Sequence, residues 1–133
     1  MRVVLDTNLF VAASFNPRSR SARILGEVAR GALVMAWTDG TRGEIRAVLS
    51  QIPRLSWEQW AGLFREEYRY RGETHPEQFS LVPDPDDRKF AALAAATGAT
   101  LVSNDAHLLD GRDEYDFPIL SPGEFWESFL EQS

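Results

Sequence analysis

The sequence predicts a three-layer α/β/α fold around a central parallel β-sheet, a Rossmann-like arrangement, and three observations carry the prediction. Short apolar runs of the buried-strand kind alternate with longer stretches of helical periodicity. Two of those runs stop at or just before an aspartate, Asp6 and Asp105. The chain has 133 residues, 44% of them hydrophobic, which suffices for one core and not for two, so residues 1–133 are read as a single domain.

Arg2-Val3-Val4-Leu5 lacks polar alternation, as a strand covered on both faces does, and it ends at Asp6. Leu9 to Ala13 predicts a short helix that Asn16-Pro17 interrupts. Ser21 to Arg30 carries Ile24, Leu25 and Val28 at helical spacing, and Gly31 supplies a left-handed cap. Ala32 to Trp37 is the second strand. Thr38-Asp39-Gly40-Thr41 leads into a helix bearing Ile45, Val48 and Leu49, in which Thr41 and Glu44 have capping-box spacing. Ser56-Trp57-Glu58-Gln59 has the same spacing and is expected to open a helix with Trp60, Leu63, Phe64 and Tyr68 on one side.

Arg71 to Gln78 is a polar connector and Phe79 to Val82 an extended segment. Asp84 is expected to cap an alanine-rich helix that starts around Pro85-Asp86-Asp87 and runs through Phe90, Leu93 and Ala94 to Gly98. Thr100 to Ser103 and Pro118 to Leu120 are the remaining strands. Ser121-Pro122-Gly123-Glu124 then caps a terminal helix with Phe125, Trp126 and Phe129 as its apolar face.

Composition narrows the chemistry. The absence of cysteine removes disulfide frameworks, thiolate zinc sites and cysteine nucleophiles together. No apolar run approaches the roughly 20 residues that cross a bilayer, and Met1 to Asp6 enters a strand without a signal-peptide layout. A cytoplasmic protein with no membrane association is therefore expected. The net charge of -6 argues against a general electrostatic binder of nucleic acid. Two features offset that cost: Lys89 is the only lysine, and the arginines that carry the rest of the positive charge grip phosphate through a planar fork. A carboxylate cluster filled by a cation also stops repelling phosphate.

In parallel sheets ligands gather outside the carboxyl ends of the strands, where Asp6 and Asp105 lie. Asp87 falls in the first turn of the alanine-rich helix and Glu44 in the opening turn of the helix after Thr38. If helix starts and strand ends share one rim, the four carboxylates converge, and they repel unless a proton or cation intervenes. Magnesium suits such a set, because it takes oxygen ligands and keeps several waters. Without thiolates and with two histidines, zinc and copper are less natural. Each acid also has a local explanation: Glu44 as the partner of Thr41, Asp84, Asp86 and Asp87 as caps or dipole partners, Asp105 as a turn residue, Asp6 as a helix start.

Leu5-Asp6-Thr7-Asn8-Leu9, the helical Glu44, Asp84-Pro85-Asp86-Asp87-Arg88-Lys89-Phe90 and Val102-Ser103-Asn104-Asp105 resemble the successive motifs of PIN domains. The resemblance spans most of the chain and is closest to the VapC-type toxin components of toxin-antitoxin pairs. It implies a divalent-metal nuclease site using Mg2+ or Mn2+ and single-stranded RNA as substrate. Cleavage would proceed by metal-activated water to a 5′-phosphate product, and the partners implied are an antitoxin and a second copy of the chain. Carried over residue by residue, Asp6, Glu44, Asp87 and Asp105 match the acidic metal and catalytic positions, and Asn8 and Ser103 match neighbouring supporting positions. Asp87 is preferred because Phe90, three residues on, stands where the family aspartate is followed by a buried residue; Asp86 is the alternate. The competing reading is a PIN-like module that binds RNA or a protein without turnover. A phosphatase acting through a phosphoaspartate is disfavoured, since Asn8 stands where an Asp-x-Asp pair needs its second acid.

Arg18, Arg20 and Arg23, and Arg42 and Arg46 around Glu44, either line a route for an RNA backbone or form ordinary surface ion pairs. The aromatics from Trp57 to Tyr70 fit core packing or a protein interface better than base stacking, and the terminal Phe125, Trp126 and Phe129 face is an alternative place for a homodimer or antitoxin interface.

Overall fold

The structure is a computed structural model that describes residues 1–132. Its sheet is built from β1 (Arg2–Leu5), β2 (Val34–Met35), β3 (Thr100–Val102) and β4 (Ile119–Leu120), all parallel and in the order β2-β1-β3-β4. Val3 pairs with both Met35 and Thr100, and Leu5 with Val102, so β1 is central and Val3, Val4 and Leu5 are buried. The chain leaves β1 for β2 on one side, then crosses back to β3 on the other. The reversal lies between β1 and β3, which opens a crevice outside their carboxyl ends.

Among the described residues seven α-helices connect and flank the strands: α1 (Thr7–Phe15), α2 (Arg20–Arg30), α3 (Asp39–Gln51), α4 (Glu58–Ala61), α5 (Arg88–Thr97), α6 (Ala106–Asp110) and α7 (Pro122–Gln132). Helices α1 and α2 pack on each other, α7 packs on α2, and α5 rests on β1 and β3. Right-handed crossovers place the first group and α5 on opposite faces of the sheet, giving the three layers expected. Local signals end these helices where the sequence implies. Gly31 and Gly98 close α2 and α5 at φ of 87° and 71°, a left-handed conformation that a side chain would strain. At α7, Ser121 Oγ accepts from the Glu124 amide while Glu124 Oε1 accepts from the Ser121 amide, a reciprocal capping box.

The segment from Ser56 to Tyr68 differs from expectation. In place of one helix it forms only the four-residue α4, without a side-chain cap, and then a 3-10 turn at Glu66–Tyr68. Its rings turn inward: Phe64 stacks on Phe10 at 5.8 Å, Trp60 and Trp37 meet Phe10 and Phe64 edge-on at 6.1 and 5.7 Å, and Trp57 is buried beside Phe64. Burying a side chain the size of Phe10 contributes about 2–3 kcal/mol, more than the few tenths per residue at stake in continuing a helix. Packing decides. The Trp37–Arg69 bridge, with the Tyr70 amide on the Trp37 carbonyl, then holds the segment against the edge beyond β2.

Two smaller corrections follow the same logic. Phe79 to Val82 is not extended: Phe79 ends a 3-10 turn at Pro76–Phe79 and Val82 closes the next turn onto the Phe79 carbonyl. The capping box of α3 joins Thr38 to Thr41, not Thr41 to Glu44. Glu44 is thereby released from the local role the spacing suggested. Among the described residues no helix is long and apolar enough to cross a membrane.

Candidate functional site

Asp6 follows β1 and stands at the N-cap position of α1, yet its side chain makes no cap hydrogen bond. It is 4% exposed. Oδ2 accepts from the hydroxyl of Ser103, itself fully buried at the end of β3, whereas Oδ1 is buried with no hydrogen-bond partner. Burial pushes the Asp6 carboxyl from 3.8 up to about 6; the Ser103 hydrogen bond and the amides of Leu9 and Asn8 pull it down, and the charge of Asp105 adds to the rise. Ser103 also accepts from the Asp105 amide at 3.0 Å, so one hydroxyl ties the two strand ends together.

Asp105 caps α6, taking the His107 and Leu108 amides on Oδ1 at 2.8 and 3.2 Å. The turn role open to it in the sequence is thus real, and it holds the carboxylate on the rim. Asp87 ends a 3-10 turn, Pro85–Asp87, that Asp84 caps through the Asp86 amide, and it stands before α5 without capping it. Burial, then the charge of Asp84, a hydrogen bond toward Asp105 and the charges of Asp105 and Asp6, raise Asp87 to about 7. Asp86, the alternate, is exposed and enters neither shift.

Glu44 reaches the cluster indirectly. Its Oε2 accepts from Thr7 Oγ1 at 3.4 Å, and its Oε1 lies 3.5 Å from Lys89 Nζ. Thr7 adjoins Asp6 and Lys89 follows Asp87 by two residues, so the fourth acid is held at the border of the other three. Neither residue was singled out for the site from the sequence. The signals were present: Thr7 is the middle of Asp-Thr-Asn, and Lys89 is the lone lysine. Asn8 is exposed, as is His107, whose amide donates to Asp105 Oδ1.

Asp6, Asp87 and Asp105 are thus brought together at the switch between β1 and β3, with Ser103 beneath them and Glu44 beside them. Among the described residues, however, no three Asp, Glu or His side chains converge closely enough to cage a metal unaided. The set fits magnesium or manganese, which need one or two carboxylates and keep several waters. The partnerless buried oxygen of Asp6 is the observation that favours a cation, because a buried polar atom left without a partner is otherwise costly.

The model of the family described as PIN domain matches residues 2–107. No curated protein matches the chain in sequence. Among solved structures, VapBC2 from Rickettsia felis bound to a DNA fragment from their promoter is similar at a TM-score of 0.59 and 18% identity, covering 91% of this chain and 98% of that one. FitAcB from Neisseria gonorrhoeae is similar at 0.57 and 14%, covering 91% and 98%, and FitAB bound to an IR36 DNA fragment at 0.57 and 14%, covering 93% and 95%. At such identities the structures speak for the fold, and the match along residues 2–107 speaks for descent: the chain belongs to the PIN domain family, whose members are generally nucleases.

Proposed function

We propose that the chain is a divalent-metal-dependent endoribonuclease that cleaves single-stranded RNA, and that it is the toxin component of a toxin-antitoxin pair. The buried, partnerless Oδ1 of Asp6 beside Asp87 and Asp105 is the observation that supports the reading most strongly. Asp6, Asp87 and Asp105 would hold Mg2+ or Mn2+, with Glu44 as a direct or water-mediated ligand. When bound, the cation supplies Lewis acidity toward a phosphodiester oxygen and toward water.

The protein's own groups do the rest. Ser103 fixes the rotamer of Asp6 by donating to Oδ2, which leaves Oδ1 without a partner and available to the cation. Thr7 and Lys89 hold Glu44 where its carboxylate can accept a proton from attacking water. The N-terminus of α1, and the amides gathered by Asp105, oppose the crowding of negative charge. The structural likeness to VapBC2 and FitAcB supports a cognate antitoxin as partner; a second copy of the chain is the other partner proposed.

Cleavage of a labelled single-stranded RNA in magnesium, and again in chelator, tests the activity. Asp6→Asn and Asp105→Asn are expected to reduce kcat by more than about a hundredfold while the fold is retained. Full cleavage in chelator, or by the folded double variant, would overturn the metal mechanism. RNA binding without any cleavage in metal would favour the non-catalytic module.

A further inference from the structure

Three cations that share one cavity are neutralised: Lys89 by Glu44, Arg69 by Asp39 and Glu66, and Arg71 by Glu66. They line a cavity of about 500 Å3 whose positive charge is already spent. A second groove, of about 470 Å3 between the start of α2 and the face of α7, is different. Arg18, Arg20 and Arg23 line it, all exposed, and none has a carboxylate within ion-pair distance among the described residues. The opposite wall carries the half-buried ring of Trp126 and the 52%-exposed Leu130, with Glu127 as the one acid in the lining. In a chain of net charge -6, three arginines without an ion pair gathered in one groove with a single acid make a local concentration of positive charge.

The start of α7, which Arg20 touches, lies at the same edge of the sheet as the carboxylates. Ser103, which holds Asp6, donates its amide to the Leu120 carbonyl at 3.0 Å, pairing the end of β3 with that of β4. Two residues beyond Ser121 stands Gly123. A Cβ there would lie 3.7 Å from Arg20 Cδ, in contact with the arginine that crosses the first turn of α7. The path from the acids to the first guanidinium is one strand spacing and one helical turn.

Given the proposed ribonuclease activity, we infer that this groove is the track for the RNA strand leaving the acidic cluster: Arg18, Arg20 and Arg23 take successive backbone phosphates and Trp126 stacks a base. Single-stranded RNA is favoured over an acidic peptide because guanidinium forks match phosphate oxygens and the lining includes an aromatic residue, Trp126, on which a base can stack. A single strand bends into a concave groove of this size, which a stiff duplex does not.

The test separates charge from stacking. Binding of a fluorescein-labelled 20-nucleotide RNA is read by anisotropy in chelator, at several salt concentrations, for the wild type, the triple Arg18→Gln, Arg20→Gln, Arg23→Gln variant, Trp126→Leu and a distant Arg30→Gln control. Three lost phosphate contacts reduce the slope of log K against log salt by about 2, so the triple variant is expected to bind at least about tenfold more weakly at low salt with a flattened slope. Trp126→Leu is expected to lose about tenfold at unchanged slope. Arg30→Gln is expected to match the wild type. A triple variant with wild-type affinity and slope, or RNA displaced from the wild type no better by unlabelled RNA than by polyglutamate, would overturn the track. Cleavage assays keep the two readings apart: a wild type that binds but never cleaves removes the nuclease reading alone, whereas cleavage by the triple variant at unchanged KM removes the track alone.

Discussion

Asp6→Asn should make the metal-free protein more stable at pH 8, although it destroys the candidate site. Asp6 is 4% exposed and its carboxyl is pushed from 3.8 up to about 6. The folded chain therefore keeps this proton over a pH range in which the unfolded chain has lost it. Stability from the neutral acid is fully present below 3.8 and is lost as pH rises through about 6. Roughly two pH units at about 1.4 kcal/mol each give a loss of about 3 kcal/mol. Asparagine keeps the shape and carries no charge, but its amide nitrogen must replace a buried oxygen, which costs part of the gain. A net stabilisation of about 2 kcal/mol remains, equal to a rise in Tm of about 6–8 °C for a chain of this size. Urea denaturation followed by circular dichroism in EDTA, at pH 4 and pH 8, reads the effect, to which relief of Asp87 from the Asp6 charge adds in the same direction. The variant should gain on the wild type only at pH 8, and magnesium should stabilise only the wild type. Equal midpoints at pH 8 would refute the buried-charge account of Asp6.

Other perturbations probe separate links. Ser103→Ala removes the donor to Asp6 and the acceptor of the Asp105 amide, and should cost about 2–3 kcal/mol at pH 8 by urea melt and lower kcat on RNA; unchanged stability would mean that the hydroxyl does not support the acids. Lys89→Gln releases Glu44 from a partly exposed pair, so stability should change by less than about 1 kcal/mol while kcat falls and KM holds; a fall in KM affinity alone would instead make Lys89 a phosphate contact. Gly31→Ala places a side chain at φ of 87° and should lower stability by about 1 kcal/mol with cleavage untouched, as thermal melts and RNA assays on the same preparation would report.

What the sequence determined by itself is whatever acts over a few residues. The apolar runs at Arg2–Leu5 and Thr100–Val102, the Gly31 and Gly98 caps, Asp84 before Pro85, and the Ser121–Glu124 box all depend on a turn of chain, and the structure keeps them. Asp6, Asp87 and Asp105 also point to one rim, since strand ends and helix starts share that edge in a parallel sheet, whereas Glu44 stands in the second turn of α3 and not in its opening turn as expected. Tertiary structure decided the rest. The rings of Trp57, Trp60 and Phe64 have helical spacing, but burial against Phe10 and Trp37 outweighs helix propensity and breaks the segment after Ala61. Thr41 turns to Thr38, which frees Glu44 for Thr7, 37 residues away, and for Lys89. The state of Asp6 depends on Ser103, 97 residues distant, and on a strand order that sets β3 beside β1. Charge in a desolvated crevice is fixed by every wall of that crevice, and those walls come from segments that no local window of sequence contains together.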